Sequence, residues 1–337
     1  GWFKTHSGCG VDMSNMRAIV SAPDGPRLQQ VPLPIPRPKE VLVRVQASSL
    51  NRADLGMLKG ATHGAVGGAW LPLGLEFAGE IVELGTEVTN WTIGDRVMVA
   101  NGGAFAEYAV AHCRRMYAIP EGLSFEQATT LPVALQTEHD AIVTNGLLTQ
   151  GGSILIQGAS SAVGLMALQI SKYLGAGLVI GTSTTEARLS QLAKYGADLS
   201  VNPRHENWVQ QVLDATGGKG VDVLIDHVAG PCTNNNMKVT RVGGRIINVG
   251  RLGGMHGEFD FDLHALRRLH YVGVTFRTRS GREVEAIVDA TIKDLYSGLT
   301  TGALRLPIYK SFALEQAKEA FALIASNEHF GKIVLRP

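Results

Sequence analysis

The 337-residue sequence has few of the features that mark disulfide-rich, metal-caged or membrane proteins. Its only three cysteines, Cys9, Cys113 and Cys232, lie far apart and form no C-x-x-C pair. This spacing argues against a disulfide framework and against a thiolate zinc cage. It favours a protein of the reducing cytoplasm.

The sequence also has almost no excess of positive or negative charge, and it has no long uninterrupted apolar run. A formal net charge of +1 provides no field that would gather nucleic acid or an anionic membrane surface, so neither partner is expected. The most apolar stretch, residues 162–181, contains Lys172 and several glycines, which is wrong for a membrane span. Residues 1–15 lack the apolar core of a signal peptide and are interpreted as an N-terminal extension before Met16.

The composition that remains is typical of a compact enzyme, with 45% hydrophobic residues, 18% charged residues and 40 glycines. The length favours two domains. After Met16, short apolar runs alternate with turn residues, as in EVLVRVQASSLN, where Val41, Val43 and Val45 predict a strand. The first part of the chain is therefore predicted to be rich in β-structure.

From Ser153 onward, apolar strands alternate with helical segments. The pattern runs SILIQG, SAVGLMALQISKYLG, GLVIGT, EARLSQLAKYG, DLSVN, DVLIDHV and GRIINVG. This rhythm predicts parallel strands joined by right-handed helical crossovers. The fold class is therefore α/β, with a β-rich domain and a doubly wound parallel sheet.

The stretch ILIQGASSAVGLMAL resembles a dinucleotide-binding turn whose middle glycine is replaced by Ser161. Gly158 and Gly164 can provide the tight bend and the close contact of helix with strand, and a helix N-terminus attracts phosphate. Glycines also occur in such turns for geometry alone, which is the alternative interpretation. The predicted cofactor-binding residues of this turn are Gly158, Ser160, Ser161, Ala162, Val163 and Gly164.

The segment GTSTTEAR, at the end of the second strand of the predicted parallel sheet, indicates whether the site binds NAD or NADP. An NAD site places a carboxylate there, and that carboxylate would repel a 2′-phosphate. Here the sequence has hydroxyls and nearby guanidinium groups, which favours NADPH. A competing interpretation makes Ser183 to Glu186 a capping box and Arg188 a solvated helix residue. The residues assigned to this part of the site are Thr182, Ser183, Thr184, Arg188 and Arg204.

Together these motifs resemble the medium-chain dehydrogenase/reductase superfamily, specifically its zinc-free quinone oxidoreductase branch. The resemblance also rests on GLEFAGEIVELG, GDRVMV, GGAFAEYAV and FGKIVL. It implies a GroES-like domain over residues 16–137, completed by residues 280–337, beside a Rossmann domain over residues 138–279. The active site is expected in the cleft between them.

The resemblance also identifies where zinc alcohol dehydrogenases hold their metal. In this sequence Asn51, Leu75 and Val133 occupy those places, and the four-cysteine structural zinc lobe is absent. Leucine and valine cannot coordinate zinc. We therefore expect no metal and a reductase that transfers hydride from NADPH to a small quinone or α,β-unsaturated carbonyl compound, whose oxygen a few hydrogen bonds can stabilise.

Further site residues follow from the resemblance. Asn51 and Thr137 are expected beside the nicotinamide, with Asp54 holding the loop in shape; these three are the catalytic candidates. For each of them a purely structural role, in a turn or a helix cap, is the alternative. Residues expected to flank the cofactor are Gly250, Arg251, Leu252, Phe276 and Lys332.

The proton donor is left open by the sequence. The segment LGMLKGATHG lacks the tyrosines that this branch often carries, so His63 is one substitute and a His139–Asp140 relay another. Adjacent helical residues point about 100° apart, which argues against the relay and favours a structural His139.

The same sequence is compatible with two other functions. The alternatives are enoyl-thioester reduction and a nucleotide-binding scaffold without turnover. Strands GGRIINVG and HYVGVTFRT are expected at the edge of the Rossmann sheet. Because an exposed apolar edge is commonly covered by pairing, a homodimer joined through the cofactor domains is expected.

Overall fold

A computed structural model describes residues 14–60, 62–63, 66–67 and 70–337, and no side chain between residues 61 and 69. Residues 1–13 of the predicted extension therefore lie outside the described part of the chain. The strand that follows begins at Asn15.

The first part of the chain is rich in β-structure, as predicted. Val41, Val43 and Val45 lie in one strand and are almost completely buried. The elements are β1 (Asn15–Ala22), β2 (Gly25–Pro32), β3 (Glu40–Ser49), α1 (Arg52–Leu58), β4 (Thr62–His63), β5 (Val66–Gly67), β6 (Glu76–Leu84), β7 (Arg96–Ala100), β8 (Tyr108–His112) and β9 (Met116–Ala118).

The C-terminal segment completes this sheet. It contains β16 (Ile308–Ala313), α10 (Ala317–Ser326) and β17 (Lys332–Arg336). The strand order is β16-β17-β3-β6-β7-β9, with β8 also pairing with β3. Strand β17 runs antiparallel to β3, with Val334 opposite Ser49. This pairing brings Lys332 to the start of α1.

The middle of the chain forms a six-stranded parallel sheet in the order β12-β11-β10-β13-β14-β15. The chain order reverses between β10 and β13, which is where ligands bind in sheets of this kind. The strands are β10 (Ser153–Gln157), β11 (Leu178–Thr182), β12 (Leu199–Val201), β13 (Val221–Asp226), β14 (Thr240–Asn248) and β15 (His270–Gly273).

Helices cover both faces of the parallel sheet. In β10, Ile154 and Ile156 belong to one hydrophobic core and Leu155 to the other, and all three are fully buried. The predicted α/β class is confirmed. The helices are α2 (Phe125–Thr129), α3 (Pro132–His139), α4 (Ala162–Tyr173), α5 (Glu186–Leu189), α6 (Trp208–Ala215), α7 (Thr233–Val239), α8 (Phe261–Leu266) and α9 (Gly281–Thr300).

One predicted helix is broken in the structure. The segment EARLSQLAKYG contains the short α5 and then a separate 3₁₀ turn at Leu192–Tyr195. Of the residues in these two turns, only Leu192 is fully buried, so little apolar contact supports a continuous helix. The Ser190 hydroxyl also donates to the Ala187 carbonyl, which competes with regular helix.

Within the described residues, no helix has both the length and the apolar character needed to cross a membrane.

Candidate active site

The glycine turn after β10 has the tight geometry that its sequence predicts. Gly158 has φ +74°, and a Cβ there would lie 2.9 Å from Cγ2 of Val228. A Cβ on Gly164 would lie 2.4 Å from the Gly158 carbonyl oxygen. Both positions therefore require glycine, the first for its backbone conformation and the second for contact of helix with strand.

Ser161 at the middle position caps helix α4. Its hydroxyl accepts a hydrogen bond from the Gly164 N–H at 3.1 Å and donates to the Gly158 carbonyl at 3.1 Å. The N–H groups of Ala162 and Val163, in the first turn of α4, have no acceptor within the helix. These N–H groups and the helix dipole make the turn suitable for a phosphate.

The end of β11 lies directly against this turn. The Thr182 hydroxyl accepts from the Gly158 N–H at 2.9 Å, and the Ser183 hydroxyl donates to that of Ser160 at 3.0 Å. The competing capping-box interpretation is wrong, since Thr185 is the N-cap of α5 and makes no side-chain cap bond. Thr184 is exposed.

The two predicted arginines have different surroundings. Arg188 donates through Nη2 to the carbonyls of Asn327 and His329, the latter at 3.1 Å. Arg204 is exposed, and its backbone N–H donates to Asn202 Oδ1 at 2.9 Å. Arg188 thus joins the cofactor domain to the loop between α10 and β17.

A second guanidinium reaches the same loop from α1. Arg52 donates through Nη2 to Asn327 Oδ1 at 2.5 Å. Partial burial and the charge of Arg188 lower the pKa of Arg52. We call Arg52, Arg188, Asn327 and His329 the loop cluster. The charges of the two arginines repel each other. Burial, together with these two charges and that of Lys332, lowers the pKa of His329 to about 4.

Asn51 lies at the centre of a buried polar group that we call the Asn51 cluster, formed by Asn51, Asp54, Glu76 and Lys332. Asn51 Nδ2 donates to Glu76 Oε2 at 2.8 Å, and Lys332 Nζ donates to Asn51 Oδ1 at 3.0 Å. Lys332 Nζ also lies 2.8 Å from Glu76 Oε2. The other oxygen of Glu76 accepts from the Val133 N–H at 3.0 Å.

Asp54 holds the start of α1 in the way that the sequence predicts. Its Oδ2 accepts from the Asn51 N–H at 2.7 Å. Burial, with a smaller contribution from the charge of Glu76, raises the pKa of Asp54 to about 7, against the opposing effects of that N–H and of Lys332. Asp54 Oδ1 is buried without a hydrogen-bond partner.

The structure argues against a relay between His139 and Asp140. His139 Nε2 lies 2.6 Å from Asp294 Oδ2 on α9, whereas Asp140 accepts from Arg279 at 3.0 Å. The two side chains contact different elements, as helical geometry requires. His139 is therefore bonded to α9 and not to Asp140. The other substitute, His63, has a side chain outside the described residues.

A buried ion pair that the sequence did not indicate lies beside the glycine turn. His227 follows β13, its Nδ1 lies 2.9 Å from the Gln157 carbonyl, and its Nε2 contacts Glu138 Oε1. Burial disfavours the charged imidazole, but the charge of Glu138 raises the pKa of His227 above its ordinary value. Glu138 precedes His139 on α3, and Thr137, half-buried, precedes Glu138.

The remaining predicted residues lie after β14 and β15. A Cβ on Gly250 would lie 2.9 Å from the His227 carbonyl, so this chain segment packs closely on the end of β13. Arg251 donates to Asn248 Oδ1 at 3.3 Å. Leu252 is 49% exposed, and Phe276 is half-buried. All four residues follow the carboxyl ends of β14 or β15 in the chain.

Comparison with known proteins identifies the family of the chain. Quinone oxidoreductase of Sus scrofa is 30% identical over 328 residues, which cover 96% of this chain and 97% of that protein. Quinone oxidoreductase of Lama guanicoe is 31% identical, with 95% and 97% covered. The chain belongs to the medium-chain dehydrogenase/reductase superfamily, in its quinone oxidoreductase branch. The predicted resemblance is confirmed.

Family models and a solved structure agree with this assignment. The alcohol dehydrogenase GroES-like domain matches residues 37–121, and the zinc-binding dehydrogenase family matches residues 162–292. The crystal structure of an NAD-dependent alcohol dehydrogenase is 28% identical, with a TM-score of 0.82, and the match covers 96% of this chain and all of that one. The chain is an oxidoreductase of this superfamily, whose fold implies a nicotinamide cofactor.

The side chains that the resemblance assigns to the places of the zinc ligands make other contacts in this structure. Asn51 and neighbouring Glu76 are bonded to Lys332, and Leu75 is 8% exposed and packs in the hydrophobic core. Val133 packs at the edge of the same core. Across the described ranges, no three His, Cys, Asp or Glu side chains converge as a possible metal site.

Sequence reasoning missed Arg52, Glu76, Glu138, His227 and His329 as members of the site. The signal for Arg52 was its position next to the predicted residue Asn51, and the signal for Glu76 was its position next to Leu75, which occupies one of the expected zinc places. A histidine directly after the apolar strand DVLID was the only signal for His227.

Proposed function

We propose that this protein is an NADPH-dependent reductase that transfers hydride to quinones or α,β-unsaturated carbonyl compounds without a metal. The observation that carries the proposal is the Asn51 cluster. Where relatives of the zinc type would present ligands, this chain presents an amide, a leucine and a valine, with Glu76 neutralised by Lys332 at 2.8 Å. A conjugated acceptor needs hydrogen-bond donors for its oxygen more than a Lewis acid.

The residues present fit a dinucleotide. Glycine is required at positions 158 and 164, and the start of α4 presents free N–H groups. A bound nicotinamide supplies the hydride. The chain holds the phosphates at the glycine turn, and Asn51 and Thr137 are proposed to orient the acceptor. Asp54 is proposed to hold Asn51 in position through its 2.7 Å hydrogen bond to the Asn51 N–H.

The preference for NADPH is supported by the end of β11. Residues 182–185 contain four hydroxyls and no carboxylate. The first acid, Glu186, is exposed, and its Oε1 lies 3.5 Å from Asn202 Nδ2 and 3.8 Å from His205 Nε2. Arg188, at the end of α5, is proposed to contribute a charge-assisted contact with the 2′-phosphate.

A homodimer is proposed through β15, which is the edge of the parallel sheet. Apolar side chains beside this edge are exposed, with Phe261 at 76% and Leu266 at 72%. A two-fold axis would let each edge cover its twin.

The proposed activity is tested by measuring NADPH oxidation with a quinone, an enone and an enoyl-thioester, before and after treatment with a chelator. We expect turnover with the quinone or the enone and an unchanged rate after chelation. Loss of activity with EDTA and its return with zinc would contradict the metal-free mechanism. NADPH binding without consumption by any acceptor would favour a scaffold instead.

A further inference from the structure

Asn51 is the member of the Asn51 cluster that another molecule can reach. Asp54, Glu76 and Lys332 are buried, with exposed fractions of 0%, 0% and 3%, whereas Asn51 is half-buried. An asparagine amide has two N–H groups, and one of those of Asn51 donates to Glu76 Oε2 at 2.8 Å. The other N–H has no acceptor among the described residues. It is therefore available to donate to a bound molecule.

Lys332 and Glu76 together determine which way the Asn51 amide faces. In the observed orientation, Oδ1 accepts from Lys332 Nζ at 3.0 Å and Nδ2 donates to Glu76 Oε2. A flipped amide would place Oδ1 against the carboxylate and its NH₂ group against the ammonium, so both contacts would be repulsive. The remaining acid, Asp54, bonds to the Asn51 backbone N–H and leaves this choice unchanged. The observed orientation is therefore the one in which both side-chain contacts are favourable.

Glu76 also joins this amide to helix α3. Its Oε1 accepts from the Val133 N–H at 3.0 Å, in the first turn of α3. Thr137 follows Val133 by four residues, so the two side chains share one face of the helix, and both are half-buried. One buried carboxylate thus sets the position of the Asn51 amide relative to the face of α3 that carries Thr137.

We propose that Lys332 is a positioning residue, which holds the Asn51 amide so that its available N–H donates to the carbonyl oxygen of the acceptor. This inference rests on the proposed function, because it assumes that Asn51 contacts a quinone or an α,β-unsaturated carbonyl compound. When hydride reaches the conjugated carbon, a π electron pair moves onto that oxygen, which later takes a proton from solvent. The ammonium bonded to Oδ1 polarises the amide, and so it strengthens the hydrogen bond from Nδ2 while this charge develops.

The test compares single-turnover rates of NADPH oxidation in the wild type and in Lys332→Met/Glu76→Gln. This double variant removes both charges together, so no buried charge is left unpaired. We expect its rate to be about tenfold lower, since charge-assisted hydrogen bonds are much the stronger ones, with the Kd of NADPH changed less than about twofold. NADPH that carries deuterium at both positions of its hydride-bearing carbon should react more slowly, which shows that the rate reports hydride transfer.

Two single variants serve as controls. Lys332→Arg keeps a cation that can donate to both Asn51 and Glu76, and it should retain most of the rate. Lys293→Met changes an exposed lysine on α9 and should leave the rate unchanged. A rate for Lys332→Arg as low as that of the double variant, with both proteins folded by circular dichroism, would argue against the role of the charge.

Asn51→Ala shows whether Lys332 acts through the amide. Alone it should lower the rate about 100-fold, as loss of a donor to a developing oxyanion does. Added to Asn51→Ala, the Lys332→Met/Glu76→Gln change should lower the rate little further, because residues that act through one contact are not additive. An equal further loss would overturn the inference. Weaker NADPH binding at an unchanged rate would also overturn it, because Lys332 would then act on the cofactor, as the resemblance implies.

The remaining outcomes separate this inference from the proposed function. A double variant as fast as the wild type would overturn the inference alone, whereas a wild type that turns over no quinone or enone would overturn the proposed function as well. If the double variant fails to fold, a crystal structure of the wild type with NADP⁺ and a saturated ketone decides. A ketone oxygen within hydrogen-bond distance of Asn51 Nδ2 would support the inference. A ketone bound elsewhere, or Lys332 Nζ turned from Asn51 to a phosphate oxygen, would contradict it.

Discussion

Replacing Asp54 by asparagine should stabilise the protein at alkaline pH and not at acidic pH. Asp54 is wholly buried, and burial raises its pKa from 3.8 to about 7. Between these values the folded protein holds a proton that the unfolded chain releases, so the free energy of unfolding of the wild type falls as pH rises from about 4 to about 7. An amide does not titrate, and the variant should lose this dependence.

The magnitude follows from the same pKa values. At about 1.36 kcal/mol for each unit of pKa, ionised Asp54 destabilises the fold by about 4 kcal/mol at pH 8. An amide can still accept the Asn51 N–H, but its NH₂ group would occupy the place of Oδ1, which has no partner. An unsatisfied buried donor costs about 1–3 kcal/mol. The net gain at pH 8 is therefore about 1–3 kcal/mol. At pH 5, ionisation destabilises the wild type by only about 1.7 kcal/mol, so the variant should gain about 2–3 kcal/mol less at pH 5 than at pH 8.

Urea unfolding at pH 5 and pH 8, followed by circular dichroism, measures both differences. Asp262→Asn is the matched control, because Asp262 is exposed at the start of α8 and should show little difference between the two pH values. A stability difference between Asp54→Asn and the wild type that is the same at pH 5 and pH 8 would refute the reasoning.

Four further outcomes are expected. Lys332→Met should destabilise the fold by about 3–5 kcal/mol in urea unfolding, because it leaves Glu76 buried and unpaired. The double variant with Glu76→Gln should recover much of that loss, and a loss equal to the sum of the single variants would contradict the pairing. Gly164→Ala should weaken cofactor binding in fluorescence titrations, since its Cβ would lie 2.4 Å from a carbonyl oxygen, whereas Gly273→Ala has open space and should not. NADPH should bind on the order of tenfold more tightly than NADH, with a smaller preference in Arg188→Ala, and equal affinities would count against the phosphate assignment. Light scattering should give about twice the chain mass of 36.0 kDa, and a persistent monomer would argue against the β15 interface.

Local sequence patterns were sufficient to predict the parallel sheet and its glycine turn. Apolar strands and amphipathic helices alternate from residue 153, and this periodicity specifies which side chains are buried within each element. The turn needs glycine for reasons that act within seven residues, from 158 to 164. The prediction of one helix over EARLSQLAKYG was wrong, because too few of its residues are buried to support a continuous helix.

The pairing of buried charges could not be predicted in this way, because each partner lies far away in the chain. Glu76 and Lys332 are separated by 256 residues, and Glu138 and His227 by 89. Each acid belongs to a segment whose sequence is compatible with several partners, and only the tertiary fold selects the partner. Strands β6 and β17, for example, lie in one sheet with β3 between them. Replacing such a pair by apolar residues is often neutral for stability, whereas removing one partner is costly. The pairs therefore determine which distant segments of the chain pack together more than they raise the stability of the fold. In this protein they lie beside Asn51 and the glycine turn, and so they hold the residues that are proposed to orient the acceptor and to bind the phosphates.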